Sequence, residues 1–136
     1  MTEIRFYTNS DYNPVREILE LGDLFWDVSD SEENFNRKIK ESPESILVAV
    51  EGKKVVGVGM VVLDFIPLLF RLAVHPDYRG RGIGKLLLER REQIVKKNGY
   101  NHVSLLIADS NTELQKRYET YGYKKGGSYT WMSKRL

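Results

Sequence analysis

Leu72-Ala-Val-His-Pro-Asp-Tyr-Arg-Gly-Arg-Gly-Ile-Gly84 is the stretch on which the reading of this chain turns. An apolar run, Pro67 to Val74 (PLLFRLAV), reads as a buried strand. It enters a turn at His75-Pro76, then a loop of arginines and glycines. Residues 82–97 follow, with Ile83, Leu86, Leu87 and Ile94 on one helical face and Gly99 just past the end, where a helix cap prefers it. Gly80, Gly82 and Gly84 let backbone N–H groups approach a ligand without obstruction by a Cβ. The helix start adds free donors and a partial positive charge, so strand, loop and helix together form a cradle for phosphate. Arg79, Arg81 and Lys85 place full charges beside it.

Two other phosphate motifs do not fit. A nucleotide P-loop needs four residues between its glycines and a Ser or Thr after its Lys, but three residues separate Gly80 from Gly84 and Leu86 follows Lys85. A dinucleotide fingerprint needs glycine three positions after Gly82, where Lys85 stands. A plain flexible loop with capping glycines would not require the strand, both arginines and the helix in this order.

Outward from this segment, the periodicities predict a strand at 3–8 and a helix at 11–25, with Pro14 tolerated in its first turn. A second helix is predicted at 31–41, capped by Ser31 and stopped before Pro43. The apolar runs 45–50 and 55–63, joined by Glu51-Gly-Lys-Lys54, predict a hairpin. A strand is expected at 102–107, and a helix from 111 to about 121 with Ser110 and Glu113 as a capping box. A final strand or hairpin is expected at 123–135. Hairpins mixed with crossovers imply an α/β mixed sheet with helices on its faces. No repeat or linker divides the 136 residues, so 1–136 reads as one domain.

Composition narrows the chemistry. The chain has no cysteine, which removes a disulfide framework, a thiolate metal site and a cysteine nucleophile. Two histidines are too few for an all-histidine zinc centre, so no metal is expected. No apolar run approaches the ~20 residues that cross a bilayer, and the N-terminus lacks a signal pattern. These readings predict a cytoplasmic protein without a membrane partner. Net charge is +2 but unevenly spread. Residues 17–33 carry seven acidic residues and no basic one, whereas 71–97 carry eight basic against three acidic. The basic segment could suggest nucleic acid, but its arginines sit in a glycine cradle and the overall charge is nearly balanced.

The string V-H-P-D-Y-R-G-R-G-I-G-K-L-L-L resembles the coenzyme A motif of the GNAT superfamily of N-acyltransferases, Arg/Gln-x-x-Gly-x-Gly/Ala, which falls on Arg79, Gly82 and Gly84. Asn111 to Tyr123 resembles the family's Asn…Tyr…Gly-Phe/Tyr segment at the right spacing. The resemblance implies a mostly antiparallel central sheet with about four helices. It also implies transfer of an acetyl group from acetyl-CoA to an amine. Backbone groups of Leu72, Ala73 and Val74 would pair with the pantetheine arm. Arg79, Gly80, Arg81, Gly82, Ile83, Gly84 and Lys85 would hold the pyrophosphate, and Asn111 would contact the pantetheine. Tyr118 matches the general acid that serves the departing thiolate. Many relatives carry a Glu on the strand before the loop. This strand has no carboxylate; Asp64, just before it, is the candidate catalytic base, directly or through a water. His75 reads as turn structure. A non-catalytic acyl-CoA sensor on the same fold is the alternative, which the missing strand carboxylate supports. The acidic segment, with Phe25 and Trp26, suggests a cationic acceptor. A homodimer is left open.

Overall fold

The computed structural model describes all 136 residues, in the order β1 (Thr2–Phe6), α1 (Tyr12–Leu21), α2 (Glu32–Glu41), β2 (Ile46–Glu51), β3 (Lys54–Val62), β4 (Leu68–Val74), α3 (Ile83–Lys97), β5 (Ser104–Leu105) and α4 (Thr112–Thr120). The chain forms two compact units, Met1–Leu105 and Leu106–Leu136.

In the first unit the strands lie side by side in chain order. β1, β2, β3 and β4 pair antiparallel, and β5 joins β4 in parallel. Runs such as ILVAV in β2 are buried on both faces because helices cover both sides of the sheet. On one face Val15, Ile18 and Leu19 of α1 and Phe35 of α2 pack with Val48, Val58, Met60 and Ala73. On the other, Ile83, Leu87 and Ile94 of α3 meet Leu47, Ala49 and Val56. α3 approaches closely because β3 carries glycine where it passes. A Cβ on Gly57 would stand 3.1 Å from Leu87 Cδ1, and one on Gly59 would stand 2.9 Å from Nε of the buried Arg91. Arg91 Nη1 donates to the Met60 carbonyl at 3.2 Å, tying α3 to β3.

Several predicted elements change length. The first helix ends at Leu21 rather than 25, because Gly22 caps it and Asp23 takes a left-handed φ of 56°. Ser31 caps α2 as expected, accepting from the Asn34 N–H at 3.2 Å. The strand expected at 102–107 pairs only at Ser104 and Leu105.

The start of the fold is fixed by a buried carboxylate. Asp11 accepts two hydrogen bonds from Arg5, at 2.7 and 3.0 Å, and one from the Thr8 N–H at 2.8 Å. Burial alone would raise its pKa, but the Arg5 guanidinium and the Thr8 N–H outweigh that and hold it below the usual carboxylate value. A lowered folded pKa contributes stability above the unfolded value, near pH ~4, that is lost as pH falls through the folded one. Asp11→Asn should therefore cost about 1–2 kcal/mol at pH 7 by urea denaturation. The gap to wild type should close as the wild-type carboxyl protonates at acid pH.

In the second unit α4 is capped by Asn111, whose Oδ1 accepts from the Leu114 N–H at 3.2 Å. The expected Ser110 cap is thus displaced by one residue. Residues 123–136 form neither the expected strand nor a hairpin.

Candidate active site

The site is built where β4 meets α3. Arg71 departs from strand geometry with a left-handed φ of 52°, and the β3–β4 register shifts between Val58 and Met60. Gly57 pairs with Val74 and Val58 with Ala73, but Met60 already pairs with Phe70. Two residues of β4, Arg71 and Leu72, thus stand opposite Gly59 alone, which is a β-bulge. On the opposite side of β4, β5 is in register only with Leu68 and Leu69.

Beyond Val74 the chain makes a short helical turn at Pro76–Tyr78. His75 caps it, its Nδ1 accepting from the Asp77 N–H at 3.2 Å, which is the turn role expected of it. Gly80 and Gly82 then adopt φ of 77° and 79°, with no atom within 4 Å of where a Cβ would stand. An L side chain pays steric strain at such angles, and glycine does not. Gly82 is the N-cap of α3, whose first amides have no intrahelical partner. Gly84 lies inside the first turn of α3 and needs no left-handed φ.

The charged side chains brace this loop. Arg79 Nε donates to the Val74 carbonyl at 3.1 Å. The Arg81 guanidinium stacks over the Tyr78 ring at 4.9 Å, and Lys54, from the start of β3, sits 5.3 Å from the same ring. Lys54 was not foreseen, since nothing local in the sequence links it to the loop. Lys85 lies 3.9 Å from Glu89 on α3.

The α1–α2 loop contributes a second cluster. Asp30 is buried, and its Oδ2 accepts from the Trp26 N–H at 2.8 Å and meets Arg71 Nη2 at 3.2 Å. Ser29 Oγ accepts from Arg71 Nη2 at 3.3 Å. The sequence showed Arg71 and Asp30 only as members of two charged stretches. One face of Phe25 is taken by the Arg16 guanidinium at 4.5 Å. Asp64 lies in the exposed β3–β4 turn, its Oδ1 accepting from the Phe65 N–H at 2.9 Å.

In the second unit, Asn111 is exposed at the start of α4. Tyr118 is buried, with Tyr121 and Tyr123 edge-on to its ring at 5.9 and 5.4 Å. Tyr121 itself is exposed.

A mostly antiparallel five-stranded sheet whose bulged strand enters a glycine loop and helix defines a class, and the comparisons with known proteins agree on it. The sequence pattern of the GNAT acetyltransferase family matches residues 12–123, and the chain belongs to that family. It is 33% identical over 135 residues to an acetyltransferase of Sodalis glossinidius, covering 98% of this chain and 95% of that one. It is 32% identical over 135 residues to an acetyltransferase of Pectobacterium atrosepticum, with the same coverage. The fold superposes with a TM-score of 0.80 on the PaiA N-acetyltransferase of Thermoplasma acidophilum, crystallised with coenzyme A, at 22% identity over 95% of this chain and 93% of that one. The protein is an acetyltransferase of this family. No helix is long and apolar enough to cross a membrane.

Proposed function

We propose that the protein transfers an acetyl group from acetyl-CoA to a primary amine by direct attack of the amine on the thioester. The observation that carries this reading is the cradle: a strand, then a loop with two left-handed glycines, then the N-terminus of a 15-residue helix. Such a helix start offers amide donors and a positive dipole end to a pyrophosphate. Arg79, Gly80, Arg81, Gly82, Ile83, Gly84 and Lys85 would hold that group. The pantetheine amides would hydrogen-bond to the backbone of Leu72, Ala73 and Val74 along β4, which β5 leaves unpaired there. The coenzyme A bound to the Thermoplasma relative supports the choice of cosubstrate. With no cysteine for an acyl-enzyme, catalysis rests on holding amine and thioester side by side. Tyr118 serves as the acid toward the thiolate, and Asn111 combines its capping role with contact to the pantetheine. Asp64, exposed and engaged by the Phe65 N–H, takes the amine proton through water. The match over 12–123 spans both compact units, which supports reading 1–136 as one functional domain. The absence of cysteine supports a cytoplasmic setting.

Release of free coenzyme A from acetyl-CoA in the presence of a panel of amines tests this reading. Binding without turnover on any amine would instead establish a non-catalytic sensor.

The acceptor we infer is cationic. Glu17, Asp23, Asp27, Glu32 and Glu33 are exposed on α1, α2 and the loop between them. Among putrescine, spermidine and spermine, kcat/KM should rise roughly fivefold with charge at low salt, and the rise should shrink with added salt. Asp23→Asn with Asp27→Asn should flatten it. Asp30 is left intact because it is buried and paired. Equal kcat/KM along the series would overturn this inference.

A further inference from the structure

Arg71 combines three features that stability alone would not select. It is a non-glycine residue at a left-handed φ of 52°. Its Nε is buried without a hydrogen-bond partner. Its guanidinium forms an ion pair with a carboxylate that is itself only 2% exposed. The left-handed φ and the unpartnered Nε each cost free energy, and a buried ion pair adds little stability over an apolar pair, although removing one partner strands the other. Local strain of this kind, held in place by its surroundings, clusters at functional sites.

The bulge explains what the strain achieves. Successive side chains of a regular strand point to opposite faces. Here Phe70 packs with the α1–α2 face of the core, and the Arg71 guanidinium lies over the same Phe70 ring at 4.6 Å. Two consecutive residues of β4 thus serve one face. Arg71 thereby reaches Ser29 and Asp30 in the α1–α2 loop. Asp30 in turn orders that loop. Its carboxylate accepts from the Trp26 and Ser29 side of the turn, and its carbonyl accepts from the Tyr12 hydroxyl at 2.8 Å.

We propose that Arg71 is a positioning residue for the acceptor: with Asp30 it latches the α1–α2 loop onto the bulge of β4, one residue before the segment assigned to the pantetheine. The inference rests on the acetyl-CoA and amine reading above. It predicts that loss of the latch disturbs the acceptor and not acetyl-CoA, since the Arg71 guanidinium lies on the α1–α2 face while the cradle at 79–85 follows the turn at Pro76–Tyr78.

The test uses the full chain carrying Trp131→Phe, which leaves Trp26, in the latched loop, as the sole tryptophan. Arg71→Gly suits the backbone and deletes the latch. Arg71→Lys keeps the charge. Asp30→Asn keeps an oxygen for the Trp26 N–H but removes the ion pair. Acrylamide quenching of Trp26, melting temperature, calorimetric acetyl-CoA affinity and steady-state kinetics are read on each. The acceptor is whichever of spermidine, glucosamine and a lysine-bearing tetrapeptide the wild type acetylates fastest. Arg71→Gly should lower the melting temperature, because it strands the buried Asp30 carboxylate, and should leave acetyl-CoA affinity unchanged. It should raise Trp26 quenching about twofold and the acceptor KM roughly tenfold, with a smaller change in kcat. Asp30→Asn should act in the same direction, and Arg71→Lys should restore part of the loss. An acceptor KM that stays within about a factor of two, or an acetyl-CoA affinity that falls in step with it, would overturn the latch. If the wild type acetylates none of the three amines, the amine reading fails instead, and the Trp26 quenching alone decides the latch.

Discussion

Gly82→Asp is expected to reduce acetyl-CoA affinity at least roughly 10²-fold, whereas Gly82→Asn should lose far less. Gly82 has a φ of 79° and caps α3. Asn and Asp are the residues other than glycine that best tolerate this conformation, and they are nearly identical in shape. No atom lies within 4 Å of where the new Cβ would stand, so neither side chain clashes with the protein. The pair therefore separates charge from backbone strain. A carboxylate at the mouth of the helix would face the pyrophosphate. Two like charges about 4 Å apart repel by about 4 kcal/mol at an effective dielectric of ~20, which more than accounts for the predicted loss. Calorimetry with acetyl-CoA on both variants, each checked for folding by circular dichroism, reads the difference. Equal affinities would move the pyrophosphate away from this helix start.

Tyr118→Phe should lower turnover about 10²-fold with little change in acetyl-CoA affinity. The substitution keeps the ring, and with it the edge-on contacts to Tyr121 and Tyr123. Only the hydroxyl is lost. Because Tyr118 is 7% exposed, packing alone accounts for an aromatic residue there, and the variant is chosen to leave that packing in place. A departing thiolate gains from a phenol within hydrogen-bond reach, so the loss should appear in kcat and grow with poorer thiol leaving groups. Turnover within a factor of about two of wild type would assign Tyr118 to the core and place the acid elsewhere.

What the sequence shows on its own is whatever is encoded by neighbours in the chain. The strand, turn, glycine loop and helix from Pro67 to Lys97 were legible because each depends on residues a few positions apart: apolar runs, a proline, glycines at 80 and 82, and a helical face. The Ser31 cap and the β2–β3 hairpin were legible for the same reason. Asn111 and Ser110 both suit a helix start, and the hydrogen bond to Leu114, rather than composition, decides between them. Strand extent is different, because a strand exists only where a partner offers a register. The apolar character of 102–107 and the aromatic residues of 123–135 could not say how much would pair, and two residues of the first and none of the second do. The bulge at Arg71 likewise follows from the match between β3 and β4, and neither strand announces it alone. Arg71 meets Asp30 from 41 positions away, and Arg91 meets Met60 from 31, because the sheet and its helices have already folded. Each was visible in the sequence only as one charge among many. Burial turned them into specific bonds, since a guanidinium removed from water must find oxygen acceptors, and tertiary packing alone fixes which ones are within reach.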